Sequence, residues 1–168
     1  PTTSDRMARY EKDAPPLAAG AARAALADAG LEASAVTHVV TVSCTGFAAP
    51  NFDVGLIRDL GLRWTVARTH IGFMGCHGAL NGLRVANAYA DSIPDACVLV
   101  CAVELCSLNY QYGWNGDWIV ANAIFADGAA AQTTADSGQS GQRGAPGHAP
   151  EPGAGSRSRS CPSPAAFR

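Results

Sequence analysis

Lysine is nearly missing from this 168-residue chain, where Lys12 stands alone beside eleven arginines. With abundant Ala, Gly and Pro, that bias marks GC-rich coding DNA and carries no functional message. A net charge of −2 leaves neither a basic stripe for nucleic acid nor an acidic tail, so charge-driven partners are not expected. No apolar run approaches the roughly 18 residues of a membrane-spanning helix. The N-terminus also lacks the charged-then-apolar order of a signal peptide, and the expected location is the cytoplasm. Six cysteines occur, at 44, 76, 97, 101, 106 and 161, without the Cys-x-x-Cys spacing of zinc or redox sites, and no metal is expected. They do not look like a disulfide framework, and Cys97 and Cys101 read as core residues of one strand. From Gln132 to Arg168 there is no Leu, Ile, Val, Met, Trp or Tyr and only one Phe, Phe167. Such a stretch buries too little apolar surface to offset its ordering entropy, so residues 132–168 are expected to be a disordered tail.

Nearly half of the chain is hydrophobic, enough for one domain with a real core. Residues 1–13 show little pattern, and the pair Pro15-Pro16 suits a helix start, followed by an alanine-rich helix from Leu17 to Ala29 with Gly30 as its stop. Val36 to Ser43 reads as a strand covered on both faces. A loop through Ala49-Pro50 leads to a short helix from Phe52 to Leu60, stopped by Gly61. Strands are expected again over Val66–Phe73 and Ala96–Leu105, with a helix from Cys76 to about Ser92 between them. Trp118–Phe125 should be a last short helix, and another strand should follow Asp127. Strands alternating with helices imply a mostly parallel α/β sheet with helices on both faces. Losing its partner residues in the tail, the last strand would leave that sheet unfinished, with a raw edge. Ligands bind beyond the carboxyl ends of such strands, and the thiols of Cys44, Cys76 and Cys106 all fall there.

The most informative stretch is Arg68 to Arg84, read as strand, tight turn and helix. Gly72 and Gly75 permit the turn and a close backbone approach. Cys76 is thereby presented at a helix N-terminus, where unpaired N–H groups and the macrodipole favour an anion, and it is the candidate nucleophile. A cysteine that merely fills space would not need glycine at positions 75 and 78. His77 is a poor base for it, because adjacent helical residues point about a quarter-turn apart, and it reads as a helix-start or pocket-wall residue. Glu104, a single acid near the end of a buried strand, needs partners and reads as a structural anchor.

Three sets of residues carry a family resemblance: Val36-Thr37-His38 with Ser43-Cys44-Thr45-Gly46, Arg68 to Arg84 around Gly75-Cys76, and Phe125-Ala126-Asp127-Gly128-Ala129-Ala130-Ala131. Together they resemble the type III polyketide synthases, the chalcone and stilbene synthase-like family on the thiolase fold. The resemblance covers about Arg6 to Ala131 and implies a partial N-terminal domain over residues 1–131, an incomplete half of a thiolase-like fold. It implies that Cys76 takes an acyl group from a starter acyl-CoA, which carbanions from malonyl-CoA then extend by decarboxylative Claisen condensation. Phe125 would be an aromatic gate, and Cys44, Thr45, Cys106 and Leu108 would line the cavity. Ala49 and Pro50 would lie on a loop that reaches across a homodimer interface. No cofactor is implied beyond the CoA thioester substrates. The small Ala49 and the thiols at 44 and 106 suggest a bacterial pyrone, resorcinol or naphthol product.

The family's catalytic histidine and asparagine lie in the second half of its duplicated fold. They form an oxyanion hole worth roughly 10² to 10³ in rate per donor. Histidines 38, 70, 77 and 148 do not stand in the family's His-Pro-Gly-Gly context. The chain therefore reads as a piece of the enzyme, inactive alone, with a change of reading frame near Ala131 as one source of the tail. Two alternatives remain at this stage: a non-catalytic fragment that docks on an intact synthase, and a ketoacyl-acyl carrier protein synthase III-like enzyme.

Overall fold

The computed structural model describes residues 1–135. Of the tail expected to be disordered, residues 136–168 lie outside the described residues. In chain order the elements are α1 (Thr3–Asp28), β1 (His38–Ser43), α2 (Phe52–Leu60), β2 (Ala67–Gly72), α3 (Gly78–Ser92), β3 (Cys97–Leu105), α4 (Gly116–Ile124) and β4 (Asp127–Ala135). The strands form one sheet in the order β2-β1-β3-β4. β1 runs parallel to both β2 and β3, while β4 is antiparallel to β3. The mixed, mostly parallel sheet expected from the alternation is thus present.

Helices cover both faces. On one side Val39 of β1 and Leu99, Cys101 and Val103 of β3 pack with Tyr10, Ala14, Ala18 and Ala22 of α1 and Leu56 of α2. On the other, Val40, Val98 and Val100 pack with Ala86 of α3. The alternation along β1 follows from the two-residue period of a strand. α3 comes very close to the sheet: a Cβ on Gly82 would lie 2.8 Å from a Val42 methyl. That approach is what the small residue at 82 permits.

Three expectations are corrected. α1 starts at Thr3, fourteen residues before Leu17, and carries Pro15 and Pro16 inside it. A capping box starts it: the Thr2 hydroxyl accepts the Asp5 N–H and the Asp5 carboxylate accepts the Thr2 N–H. The prolines cannot donate to the carbonyls of Glu11 and Lys12, but both residues are exposed, where water can supply the missing donors. The buried stripe Tyr10, Ala14, Ala18, Ala22 runs through them at helical spacing, so packing overrides the proline signal. Secondly, residues 132–135 are not disordered. β4 continues to Ala135 and is paired with β3 along its whole length, so it does not lack a partner, while its far side is the open edge of the sheet among the described residues. Backbone pairing needs no apolar side chain, which is why composition missed it. Thirdly, Cys97 is buried as expected but is also disulfide-bonded, which its spacing did not suggest.

Candidate active site

The carboxyl ends of β1 and β3 and the turn after β2 meet at one cavity of about 670 Å³. Cys44, Thr45, Cys76, Cys106 and Phe125 all line it, so the three thiols expected at the strand ends converge. Cys76 lies in the single 3₁₀ turn Gly75–His77 that runs directly into α3, and its side chain is exposed. Gly75 supports that turn with φ 62°, a left-handed conformation that favours glycine. The preceding Phe73 has φ 57° and is 76% exposed.

Glu104 is the anchor of the site. Its carboxylate accepts the Cys44 N–H at 2.9 Å, the Thr45 N–H at 2.9 Å and the Thr45 hydroxyl at 2.7 Å. The Thr45 oxygen in turn accepts the Leu105 N–H at 2.8 Å. Thr45 is therefore committed to the protein in both directions, as donor and as acceptor. The Cys44 thiol donates to the Gly75 carbonyl at 3.5 Å, which ties the loop after β1 to the turn that carries Cys76. Below the same loop lies the buried Tyr10 ring, so close to Gly46 that a Cβ there would sit 2.2 Å from the ring carbons. Burial pushes the Tyr10 phenol up to about 12, and it stays neutral.

Asp127, first residue of β4, accepts both the Ser107 N–H at 2.8 Å and the Ser107 hydroxyl at 2.7 Å, fixing the 3₁₀ turn Cys106–Asn109. In a 3₁₀ turn residues i and i+3 fall on one side, so Cys106 and Asn109 both reach the cavity wall. Leu108 is thereby turned away, packs against the α1 side of the core and does not line this cavity. Asn109, Gln111 and Asn122 are wall residues that sequence reasoning missed. The Asn122 amide donates to the Gln111 carbonyl at 2.7 Å, closing the loop before α4 onto that helix. Nothing in the sequence marked these amides beyond their position after a strand end.

Ala49 and Pro50 are exposed on the loop between β1 and α2 and do not line the cavity. Neither does His77, whose Nε2 accepts from Arg84 at 3.2 Å. His38 is engaged with Thr37 and His70 with Thr41 and Asn51, so each of the three described histidines has a partner other than Cys76. His148 lies outside the described residues. Among the described residues no group of three or more His, Cys, Asp or Glu is arranged to hold a metal, and no helix is long and apolar enough to cross a membrane.

The thiols differ in environment. Burial, then the charges of Glu104, Asp127 and Cys76, push the Cys106 thiol above its ordinary value. Burial alone pushes Cys101 up to about 12. A raised thiol pKa means less thiolate at a given pH and slower alkylation. Iodoacetamide at pH 8 is therefore expected to modify Cys76 first, Cys106 more slowly and Cys101 only on unfolding. Peptide mass spectrometry over time reads the order, and Cys101 reacting ahead of Cys76 would contradict the geometry.

Comparison with known proteins gives a consistent result. Residues 1–137 match the family model described as chalcone and stilbene synthases, N-terminal domain. An α-pyrone-synthesising polyketide synthase-like protein of Mycobacterium tuberculosis is 36% identical over 130 residues, 77% of this chain and 33% of that protein. The 1,3,6,8-tetrahydroxynaphthalene synthase of Streptomyces peucetius is 40% identical over 129 residues, 77% of this chain and 34% of that protein. Among solved structures, the tetrahydroxynaphthalene synthase of Streptomyces coelicolor superposes with a TM-score of 0.74 at 32% identity, covering 80% of this chain and 39% of the other. The C-terminal type III polyketide synthase domain of a type I/III hybrid from Dictyostelium gives 0.73 at 38% identity, covering 77% and 36%. The chain spans about a third of the length of the curated relatives it matches.

Proposed function

Because the chain belongs to the chalcone and stilbene synthase family, whose N-terminal domain it matches, we propose that it supplies the acyl-loading part of a type III polyketide synthase. The observation that carries this is the position of Cys76: exposed, at the head of α3, and facing a cavity whose other walls come from the carboxyl ends of β1 and β3, the loop after β3 and α4. The Cys76 thiolate attacks the carbonyl of a starter acyl-CoA. A C–S bond forms to Cys76, and the CoA thiolate leaves. Malonyl-CoA then loses CO₂, and the carbanion left behind attacks the Cys76 thioester. The new C–C bond releases the Cys76 thiolate and leaves a chain two carbons longer on CoA. No cofactor is needed, because decarboxylation supplies the carbanion. The histidine and asparagine that would stabilise the oxyanion come from outside these 168 residues.

Phe125 stands at the C-terminal cap of α4, 55% exposed on the cavity rim, in keeping with a gate between a CoA channel and the cavity. Cys44, Thr45 and Cys106 form wall surface against which an intermediate would fold. None of α4 is buried, and Trp118, Ile119, Val120 and Ile124 are exposed along it. That apolar surface suits cover by the remaining two-thirds of the fold, while the exposed Ala49-Pro50 loop suits contact with a second subunit of a homodimer. A pyrone or naphthol is the favoured product class, from the pyrone and naphthalene synthases among the relatives. The test is product formation by the longer polypeptide carrying this domain, given acyl-CoA and [¹⁴C]malonyl-CoA. Labelled polyketide with release of CO₂ supports the reading, and label entering only a carrier protein would favour the ketoacyl synthase alternative.

A further inference from the structure

His70 of β2 lies six residues before Cys76 and joins the two segments that meet at the site. Its two ring nitrogens have different partners. The Asn51 side-chain amide lies 3.0 Å from Nε2, and the Thr41 hydroxyl lies 2.9 Å from Nδ1. Asn51 ends the loop that carries Cys44 and Thr45, and it is also the N-cap of α2.

The orientation of Asn51 fixes the tautomer. Its Oδ1 accepts the Phe52 N–H at 2.7 Å and faces the Tyr10 hydroxyl at 3.4 Å, so the oxygen is needed there and Nδ2 is the atom that meets His70. An amide nitrogen only donates, so Nε2 of His70 accepts. Nδ1 then carries the proton and donates to the Thr41 oxygen. The Thr41 hydroxyl is in turn aimed at the Thr69 carbonyl at 3.5 Å. The whole chain of donors and acceptors is consistent only with a neutral imidazole.

Adding a proton to Nε2 would set one donor against another. Asn51 would have to turn its amide, and its oxygen would leave both the Phe52 N–H and the Tyr10 hydroxyl. The α2 cap and the end of the loop would come free together. We propose that His70 is a positioning residue, a neutral-imidazole latch that holds the loop from Cys44 to Asn51 against the site and releases it on protonation. Its bearing on catalysis rests on the polyketide synthase reading, but the latch itself does not.

The charges around the ring are few. From α2, Asp53 faces it, and would favour the protonated form, but Asp53 is already ion-paired with Arg68 at 3.0 Å. β1 contributes only the neutral Thr41, α2 also the Phe52 ring in edge contact at 6.0 Å, and α1 the neutral Tyr10 behind Asn51. Desolvation outweighs Asp53, and the ring holds its proton less tightly than a free histidine.

The test is ¹⁵N-imidazole and backbone-amide NMR of the 168-residue chain between pH 5 and 8. The neutral ring should show the Nδ1–H tautomer and titrate below the ordinary 6.5. The amides of residues 44–52 should shift with the midpoint of His70. In His70→Gln the side-chain oxygen can accept from Asn51 and its NH₂ can donate to Thr41, so the loop should hold its high-pH position and lose its pH response. In His70→Leu it should be displaced at every pH. Loop amides that stay still while His70 titrates, a midpoint at or above 6.5, or a pH response that persists in His70→Gln would each overturn the latch. Absence of polyketide from the longer polypeptide would overturn the function alone.

Discussion

Cys76→Ala in the longer polypeptide is expected to lower polyketide formation on the order of 10³-fold or more, because no second nucleophile can form the thioester that the carbanion attacks. Cys44 and Cys106 share the cavity, but neither can substitute. The Cys44 thiol is directed at the Gly75 carbonyl, and burial and two carboxylates push the Cys106 thiol up, which leaves it less thiolate. The variant should fold normally, since the residue is exposed and fills no core space. A radiochemical assay with acyl-CoA and malonyl-CoA reads the loss, and a variant retaining a tenth of the activity would refute the assignment.

Gly46→Val is expected to be the most damaging small change to stability near the site. A Cβ at 46 would meet the Tyr10 ring at 2.2 Å, and that ring cannot retreat because it is fully buried among α1, β1 and the loop. Forcing such an overlap costs about 3 kcal/mol or more, a fall in Tm on the order of 10 °C for a chain of this size. The cost should couple to Tyr10: Gly46→Val with Tyr10→Leu should lose less than the sum of the single changes. Thermal denaturation followed by circular dichroism decides it. Simple additivity would mean that the ring is not what excludes a side chain at 46.

Much of the fold was legible because local signals and tertiary burial agree. Gly61 adopts φ 68° and stops α2 where its sequence says it should, and the β-branched run of β1 is buried on both faces. They part company at Pro15-Pro16, where a local helix-start signal lost to the buried stripe from Tyr10 to Ala22. At the site the turn that exposes Cys76 was legible from Gly75 and Gly78, and the anchoring Glu104 from its isolation in an apolar strand. The wall was less so. Leu108 and Asn109 exchange roles through the sense of a single 3₁₀ turn, and no periodicity in four residues reveals which side faces the cavity. Contacts between distant residues were invisible altogether: Tyr10 under Gly46, and Asn51 with His70. They depend on which elements lie side by side, and the sheet order that decides it is not written locally.

The most direct test of the central claim is to incubate the longer polypeptide with a starter acyl-CoA alone and map the adduct by peptide mass spectrometry. One acyl group per chain is expected, on the peptide containing Cys76, removed by hydroxylamine as a thioester should be and absent from Cys76→Ala. An acyl group on Cys44 or Cys106 in the unmodified protein, or none on any of the three, would contradict it.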